Sequence, residues 1–157
     1  MKERWILHFL SPVPPFQSPF IHPFLHGIAM SKQKILCVDD EQPVLQGLKL
    51  HLSQKYQVFT ASSGQEALRI FEQDGPFPVV LSDARMPGMD GIELLSHIRQ
   101  KSPGTIRLLL TGQTDFDHVM NAINEGNVFK YLLKPIPPKK LHDELAVVFE
   151  KWENENA

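Results

Sequence analysis

The chain has 157 residues, of which 42% are hydrophobic and 22% charged, the composition of one ordinary globular domain with enough apolar residues for a core. A formal net charge of -2 and the lack of any long Lys/Arg run exclude a broad nucleic-acid or membrane-binding surface. Cys37 is the single cysteine, which excludes an internal disulfide and points to a reducing, cytoplasmic compartment; within an apolar run it is expected as a small buried thiol.

The first 29 residues carry 5 of the 13 prolines, 4 of the 10 phenylalanines and 3 of the 7 histidines, and no helical or strand period survives in them. Pro12, Pro14 and Pro15 break the apolar stretch a signal peptide needs, and the stretch is too short to span a bilayer. Met30 directly precedes the first expected strand, so residues 1–29 read as upstream sequence or a tag; a flexible extension or a docking segment is the alternative. His8, His22 and His26 have neither ligand spacing nor carboxylate or cysteine company, so no metal is expected there. The expected division is a Pro/Phe/His-rich leader over 1–31, a domain over 32–153 and a short tail over 154–157.

From Met30 onward short apolar runs alternate with helical patterns five times, the signature of a parallel sheet covered by helices on both faces. The first strand is expected over 35–38. A helix follows Glu41, with Pro43 in its first turn and Val44, Leu45, Leu48 and Leu52 on one stripe. The mixed run at 56–60 fits an edge strand. Ser63, Gly64, Gln65 and Glu66 form a capping-box pattern opening a second helix, with Ala67, Leu68 and Phe71 inward. A buried strand over 79–81 comes next. Asp90 then caps a third helix carrying Ile92, Leu95 and Ile98, which ends near Pro103 and Gly104. The fourth strand spans 106–110, and the fourth helix starts at Thr114 or Asp115, buries Val119, Ala122 and Ile123, and stops at Gly126. The fifth strand is expected over 128–133. After Pro137 and Pro138 the fifth helix repeats Leu141, Leu145, Val148 and Trp152.

In open parallel sheets, ligands bind beyond the carboxyl ends of the strands. Four of the five expected strands deliver a polar residue there: Asp39 and Asp40 after the first, Asp83 after the third, Thr111 after the fourth and Lys134 after the fifth. Converging carboxylates repel unless a cation joins them, and hard oxygen ligands suit Mg²⁺. The set reads as a magnesium-dependent site for placing a phosphoryl group on Asp83. Lys134 would hold the transferred charge and Thr111 would offer a hydroxyl to a phosphoryl oxygen. Pro135 restricts Lys134 to an extended or turn conformation.

The segments Cys37-Val38-Asp39-Asp40-Glu41, Leu81-Ser82-Asp83-Ala84-Arg85-Met86-Pro87-Gly88-Met89-Asp90-Gly91, Leu110-Thr111-Gly112 and Tyr131-Leu132-Leu133-Lys134-Pro135 resemble receiver domains of two-component response regulators. Chemotaxis-type single-domain receivers are the nearest likeness, with a weaker one to the receivers of HD-GYP-type regulators. The resemblance spans 32–153 and implies a doubly wound α/β, flavodoxin-like fold: three α/β/α layers, a parallel five-stranded sheet in the order 2-1-3-4-5, and five helices. It implies that Asp83 accepts phosphate from a sensor histidine kinase or a phosphotransfer protein. Asp40, Asp83 and the backbone carbonyl of Arg85 would ligate Mg²⁺, with Asp39 acting through water. Thr111 and Tyr131 would form the switch pair, although Tyr131 also fits a plain half-buried strand aromatic. Gly112 leaves room beside the phosphate, or is a turn glycine. Arg85 and Gln113 would flank the path of hydrolytic water, with a solvated Arg85 as the alternative.

Only residues 153–157 follow the fifth helix, so the expected output is contact by the domain itself, with no enzymatic activity and no binding to nucleic acid or membrane. The resemblance places that contact on the fourth helix, fifth strand and fifth helix, where His118, Asn121, Glu125, Lys130, Lys139 and Lys140 are candidates. Two other readings are weighed against it. One is a regulatory receiver fragment or partner of an HD-GYP cyclic-dinucleotide phosphodiesterase, for which His142-Asp143 superficially offers a metal dipeptide. The other is a haloacid dehalogenase-type phosphatase, poorly matched because its Asp-x-Asp follows the first strand, whereas Asp39 and Asp40 are adjacent.

Overall fold

A computed structural model describes residues 32–112 and 116–156. The leader, Gln113, the expected start of the fourth helix at Thr114 or Asp115, and Ala157 lie outside the described residues. In chain order the elements are β1 (Lys34–Val38), α1 (Gln42–Leu52), β2 (Gln57–Ala61), α2 (Gly64–Asp74) and β3 (Val79–Asp83), followed by α3 (Gly91–Lys101), β4 (Ile106–Thr111), α4 (Phe116–Asn124), β5 (Lys130–Leu133) and α5 (Pro138–Asn156). All strand pairs are parallel and the order is β2-β1-β3-β4-β5, so the mixed second strand does lie at an edge. Among the described residues, no helix is long and apolar enough to cross a membrane.

Strand alternation divides the core in two. Ile35, Cys37, Val79, Leu81, Leu108 and Leu110 pack with α1 and α5 through Leu45, Leu48, Leu141 and Leu145. Leu36, Val38, Val80 and Leu109 face the other way, onto α2, α3 and α4 through Ala67, Phe71, Leu94, Leu95 and Val119. Each fully buried aliphatic side chain contributes about 1.5–3 kcal/mol relative to exposure, and a slip of one residue would turn every one of them to the wrong face. Burial pushes the Cys37 thiol up to about 12, so it is an inert packing group.

The caps follow the sequence closely. Ser63 Oγ accepts from the Glu66 amide at 3.1 Å and Asp90 Oδ1 from the Glu93 amide at 2.8 Å. Glu66 departs from the reciprocal box: its carboxylate accepts from the amide and hydroxyl of Ser62, one residue before the cap.

Three bounds need correction: the fifth helix runs on to Asn156, through residues expected as a tail after it, and two strands start later than expected. Tyr56 is not in β2, because its amide donates to the Leu52 carbonyl at 2.9 Å and completes the exit from α1. Val128 is buried but precedes β5, because Arg107 Nε takes the Asn127 carbonyl at 2.9 Å and keeps it out of the ladder.

Tyr56 stacks on Phe149 with ring centroids 4.4 Å apart, and its hydroxyl is the one buried side-chain polar atom without a partner among the described residues. A buried hydroxyl lacking a hydrogen bond is a cost rather than a gain. Tyr56→Phe should therefore leave the urea unfolding midpoint unchanged or raise stability by about 1 kcal/mol. A drop of that size would mean the hydroxyl has a bonded partner.

Candidate functional site

The pleat that sorts the core also sorts the polar residues at its carboxyl edge. Asp83 ends β3 on the face of Val79 and Leu81, while Asp39 and Lys134 continue the same alternation one step beyond β1 and β5. The ladders carry on far enough to hold them: the Asp39 amide donates to the Ala61 carbonyl at 3.1 Å, and the Lys134 amide to the Thr111 carbonyl at 2.8 Å. Lys134 then leads into a cis bond to Pro135.

Side chains from three strands converge as a result. Lys134 Nζ lies 2.8 Å from Asp39 Oδ2 and 3.2 Å from Asp83 Oδ1. The other oxygen of Asp39 accepts from the Glu41 amide at 2.9 Å, which locks a buried carboxylate at the entry to α1. Asp40 is exposed, yet it offers an oxygen to the same cluster: one carboxylate oxygen each from Asp39, Asp40 and Asp83 lies within 4.8 Å of the others.

One ammonium is shared by two carboxylates, and Asp39 has the shorter bond. Asp83 is accordingly under-compensated: burial, then the Asp39 charge, with a further contribution from Asp40, hold its carboxyl above the usual carboxylate range despite the lowering by Lys134. For Lys134, burial works against the charge, but the hydrogen bond and charge of Asp39 and the proximity of Asp83 outweigh it and keep the pKa above that of ordinary lysine. A cluster of hard oxygen donors carrying surplus negative charge fits a divalent cation such as Mg²⁺.

The loop after Asp83 is built to pass close by. Gly88 takes φ +75°, and Gly91 brings α3 so near that a Cβ there would sit 1.9 Å from the Asp83 carbonyl oxygen. The Gly91 amide donates to the Ala84 carbonyl at 2.9 Å, and the buried Ser82 hydroxyl to the Asp83 carbonyl at 2.9 Å. The sequence quotes Gly91 within a motif, but only the packing reveals why no side chain fits. Arg85 is exposed in this loop, two residues past Asp83.

Thr111 ends β4 on the opposite face from Asp83, buried, with its hydroxyl donating to the Gly112 carbonyl at a long 3.3 Å. Tyr131 is on the same face as Thr111, its ring edge-on to Phe116 at 6.4 Å between centroids. Thr111, Gly112, Phe116, Val119, Tyr131 and Leu133 line a cavity of about 280 Å³. Phe116 was not foreseen as a neighbour of Tyr131, because nothing in a lone exposed aromatic says what it will meet.

Of the surface candidates, His118, Asn121, Glu125, Lys139 and Lys140 are exposed. Lys130 pairs with Glu144 at 2.5 Å and Lys139 with Asp143 at 3.1 Å. His142 and Asp143 lie along α5, and the metal-competent cluster among the described residues is Asp39, Asp40 and Asp83.

A doubly wound sheet whose carboxyl edge gathers acidic side chains around a lysine defines an α/β protein with an acidic pocket at the topological switch point, where such folds take their ligands. Residues 35–146 match the family described as the response regulator receiver domain, and the chain belongs to that family. It is similar to the hydrogenase transcriptional regulatory protein HoxA of Cupriavidus necator, 34% identical over 116 residues, which cover 74% of this chain and 24% of HoxA. Among solved structures, one titled as an adenylate cyclase from Rhodopirellula baltica is 36% identical, with a TM-score of 0.76 over 80% of this chain and 93% of its own. The signal receiver domain of an HD domain-containing protein from Pseudomonas fluorescens Pf-5 is 35% identical, with a TM-score of 0.74 over 79% of this chain and 99% of its own. The chain thus spans about a quarter of the length of HoxA while matching isolated receiver domains almost end to end. It is a receiver domain of the two-component type, a signalling module.

Proposed function

We propose that Asp83 accepts a phosphoryl group from a histidine kinase or phosphotransfer protein in a Mg²⁺-dependent step, and that the aspartyl phosphate governs which proteins bind α4, β5 and α5. The observation that carries this is the convergence of Asp39, Asp40 and Asp83 within 4.8 Å, with Lys134 bonded to two of them.

A carboxylate oxygen of Asp83 attacks phosphorus, the bond from phosphorus to the donor imidazole breaks, and the imidazole leaves with the electron pair. Asp39, Asp40, Asp83 and the Arg85 carbonyl would hold Mg²⁺, which supplies neutralising charge for the phosphoryl oxygens. Lys134 is positioned to move its bond from Asp83 to the incoming phosphoryl group. The Thr111 hydroxyl has only a long bond to give up, so it can turn toward a phosphoryl oxygen, leaving space that Tyr131 can enter. Incubation with acetyl phosphate and Mg²⁺ should add one phosphoryl mass to the peptide containing Asp83 and none after chelation. A metal-independent label, or a label on another peptide, overturns the assignment.

A protein donor needs a surface beside the acceptor. An apolar groove of about 460 Å³ runs from Lys134 along Pro43, Val44, Gly47, Leu48 and Ile136, between α1 and the start of α5. Nothing lies within 4 Å of a Cβ built on Gly47, so a larger side chain there enters the groove without disturbing the core. Gly47→Leu should slow transfer from a phosphorylated partner protein by about tenfold, through steric exclusion from the interface, while leaving labelling by acetyl phosphate unchanged. Equal effects on both donors would remove the groove from the docking surface.

A further inference from the structure

Ser82 directly precedes Asp83 in β3, and its side chain points to the other face of the sheet. It pairs with Val38 of β1 and Leu109 of β4, both in the core layer against α2, α3 and α4, and it is fully buried. A hydroxyl in an apolar layer is a cost unless it is hydrogen-bonded, and a position filled for packing alone would carry an aliphatic side chain. The partner this hydroxyl takes is the carbonyl of Asp83, at 2.9 Å.

That carbonyl stands where the ladder between β1 and β3 has run out. The last pair is Val38 with Ser82, so Asp83 lies one residue past it. Among the described residues no backbone amide donates to the carbonyl there, and the Ser82 hydroxyl is the donor it has. Gly91 completes the niche: a Cβ on it would lie 1.9 Å from the Asp83 carbonyl oxygen and 3.0 Å from Ser82 Oγ, so the bare Cα at the start of α3 closes over both atoms. The Gly91 amide then takes the next carbonyl, that of Ala84, at 2.9 Å. Two successive carbonyls are thus held on the α3 side of the sheet. The Asp83 carboxylate stands on the opposite side, 3.2 Å from Lys134 Nζ. Side chain and carbonyl share one Cα, so holding the carbonyl limits the directions the carboxylate can take.

We propose that Ser82 is a positioning residue for phosphoryl transfer: its hydroxyl holds the Asp83 carbonyl against Gly91 and keeps the carboxylate in one orientation before a donor arrives. The inference rests on the phosphoacceptor reading above and adds to it a group that touches neither metal nor phosphorus. In the reaction with acetyl phosphate, an Asp83 oxygen bonds to phosphorus as the bond from phosphorus to acetate breaks, and acetate leaves with the electron pair. A nucleophile already aligned for that displacement needs no ordering at the moment of reaction, and small misplacements cost about ten- to a hundredfold in rate.

Ser82→Ala, labelled by acetyl phosphate at saturating Mg²⁺ and followed by intact mass, tests this, with the folded fraction measured by urea unfolding in the same buffer. The labelling rate per folded molecule should fall about tenfold. The slowing should persist as Mg²⁺ is raised further, because the defect lies in the aim of the carboxylate and not in occupancy of the cation site. Ser82→Thr keeps the hydroxyl and should label within about threefold of the wild type, even where its added methyl lowers the urea midpoint. If Ser82→Ala does not fold, Ser82→Cys takes its place with the same expectation, since a thiol fills the space but is a weak donor. If Ser82→Thr does not fold, the alanine variant's rate and its response to Mg²⁺ decide alone. A folded Ser82→Ala that labels at the wild-type rate, a rate restored by more Mg²⁺, or a Ser82→Thr as slow as Ser82→Ala overturns the positioning role and leaves the hydroxyl a packing group. A wild type that acetyl phosphate never labels overturns the phosphoacceptor reading beneath it instead.

Discussion

Asp83→Asn is expected to abolish labelling by acetyl phosphate and, at the same time, to make the metal-free protein more stable at neutral pH. The loss of labelling follows from removing the attacking oxygen. The gain in stability follows from the charges around it: Asp83 is partly buried beside Asp39 and Asp40, and Lys134 gives its shorter bond, 2.8 Å, to Asp39. Burial and these neighbours raise the folded-state pKa of Asp83 above its unfolded value. A raised acid contributes stability that is fully present below the unfolded pKa and is lost as pH rises through the folded pKa. Above that folded pKa the contribution is gone, and the ionised carboxylate is a net cost that a neutral amide of the same size does not carry. The expected gain is about 1 kcal/mol, the usual scale for relieving a strained functional site. It should shrink as the pH falls through the carboxylate range, because wild-type Asp83 is then protonated as well. Millimolar Mg²⁺ should raise the urea midpoint of the wild type and have much less effect on Asp83→Asn, since a ligand stabilises only the state that holds it. A variant less stable than wild type at pH 7, or one that Mg²⁺ stabilises equally, would show that the three carboxylates do not form a shared cation site.

The same residues show how much could be read from the sequence. The alternation of apolar runs and helical stripes gave the parallel sheet covered on both faces, because strand and helix periods are set by which residues must be buried. The strand-end residues were legible for the same reason: once Leu81 and Leu132 are committed to the core, the next residues on their face, Asp83 and Lys134, must emerge at the carboxyl edge. What stayed hidden depends on contacts between distant segments. Arg107 reads in the sequence as an interruption of an apolar strand, and only the arrival of Pro103, Thr105, Gly126 and Asn127 around it explains a cation there. Strand starts slipped for a related reason. Tyr56 has a strand-forming side chain, but its amide is claimed by Leu52, and side-chain type does not reveal where an amide bonds. Phe116 against Tyr131 is a pairing of exposed and half-buried rings that no periodicity encodes.

Gly91→Ala is expected to have the largest effect on folding of any single methyl addition in the described chain. A Cβ at Gly91 would fall 1.9 Å from the Asp83 carbonyl oxygen, 2.9 Å from its carbon and 3.0 Å from Ser82 Oγ, all atoms of β3 rather than the far end of a flexible side chain. Relief requires α3 to back away from β3. The start of α3 is tied down by the bond from Gly91 to the Ala84 carbonyl and by the Asp90 cap, while Leu94, Leu95 and Ile98 anchor its body in the core. Overpacking against backbone in such a setting costs about 3 kcal/mol or more, at the upper end of what single substitutions do. Gly47→Ala provides the comparison within the same molecule: it too adds one methyl to a helix, but nothing lies within 4 Å of that methyl, and a helix interior gains about 0.5–1 kcal/mol when Gly becomes Ala. Urea unfolding should therefore move in opposite directions for the two variants. Because the displaced carbonyl belongs to Asp83 itself, any Gly91→Ala protein that remains folded should also be labelled by acetyl phosphate more slowly, whereas Gly47→Ala should be labelled at the wild-type rate. If Gly91→Ala lost stability but kept the wild-type labelling rate, the close approach of α3 would be a packing constraint alone, with no part in aiming Asp83.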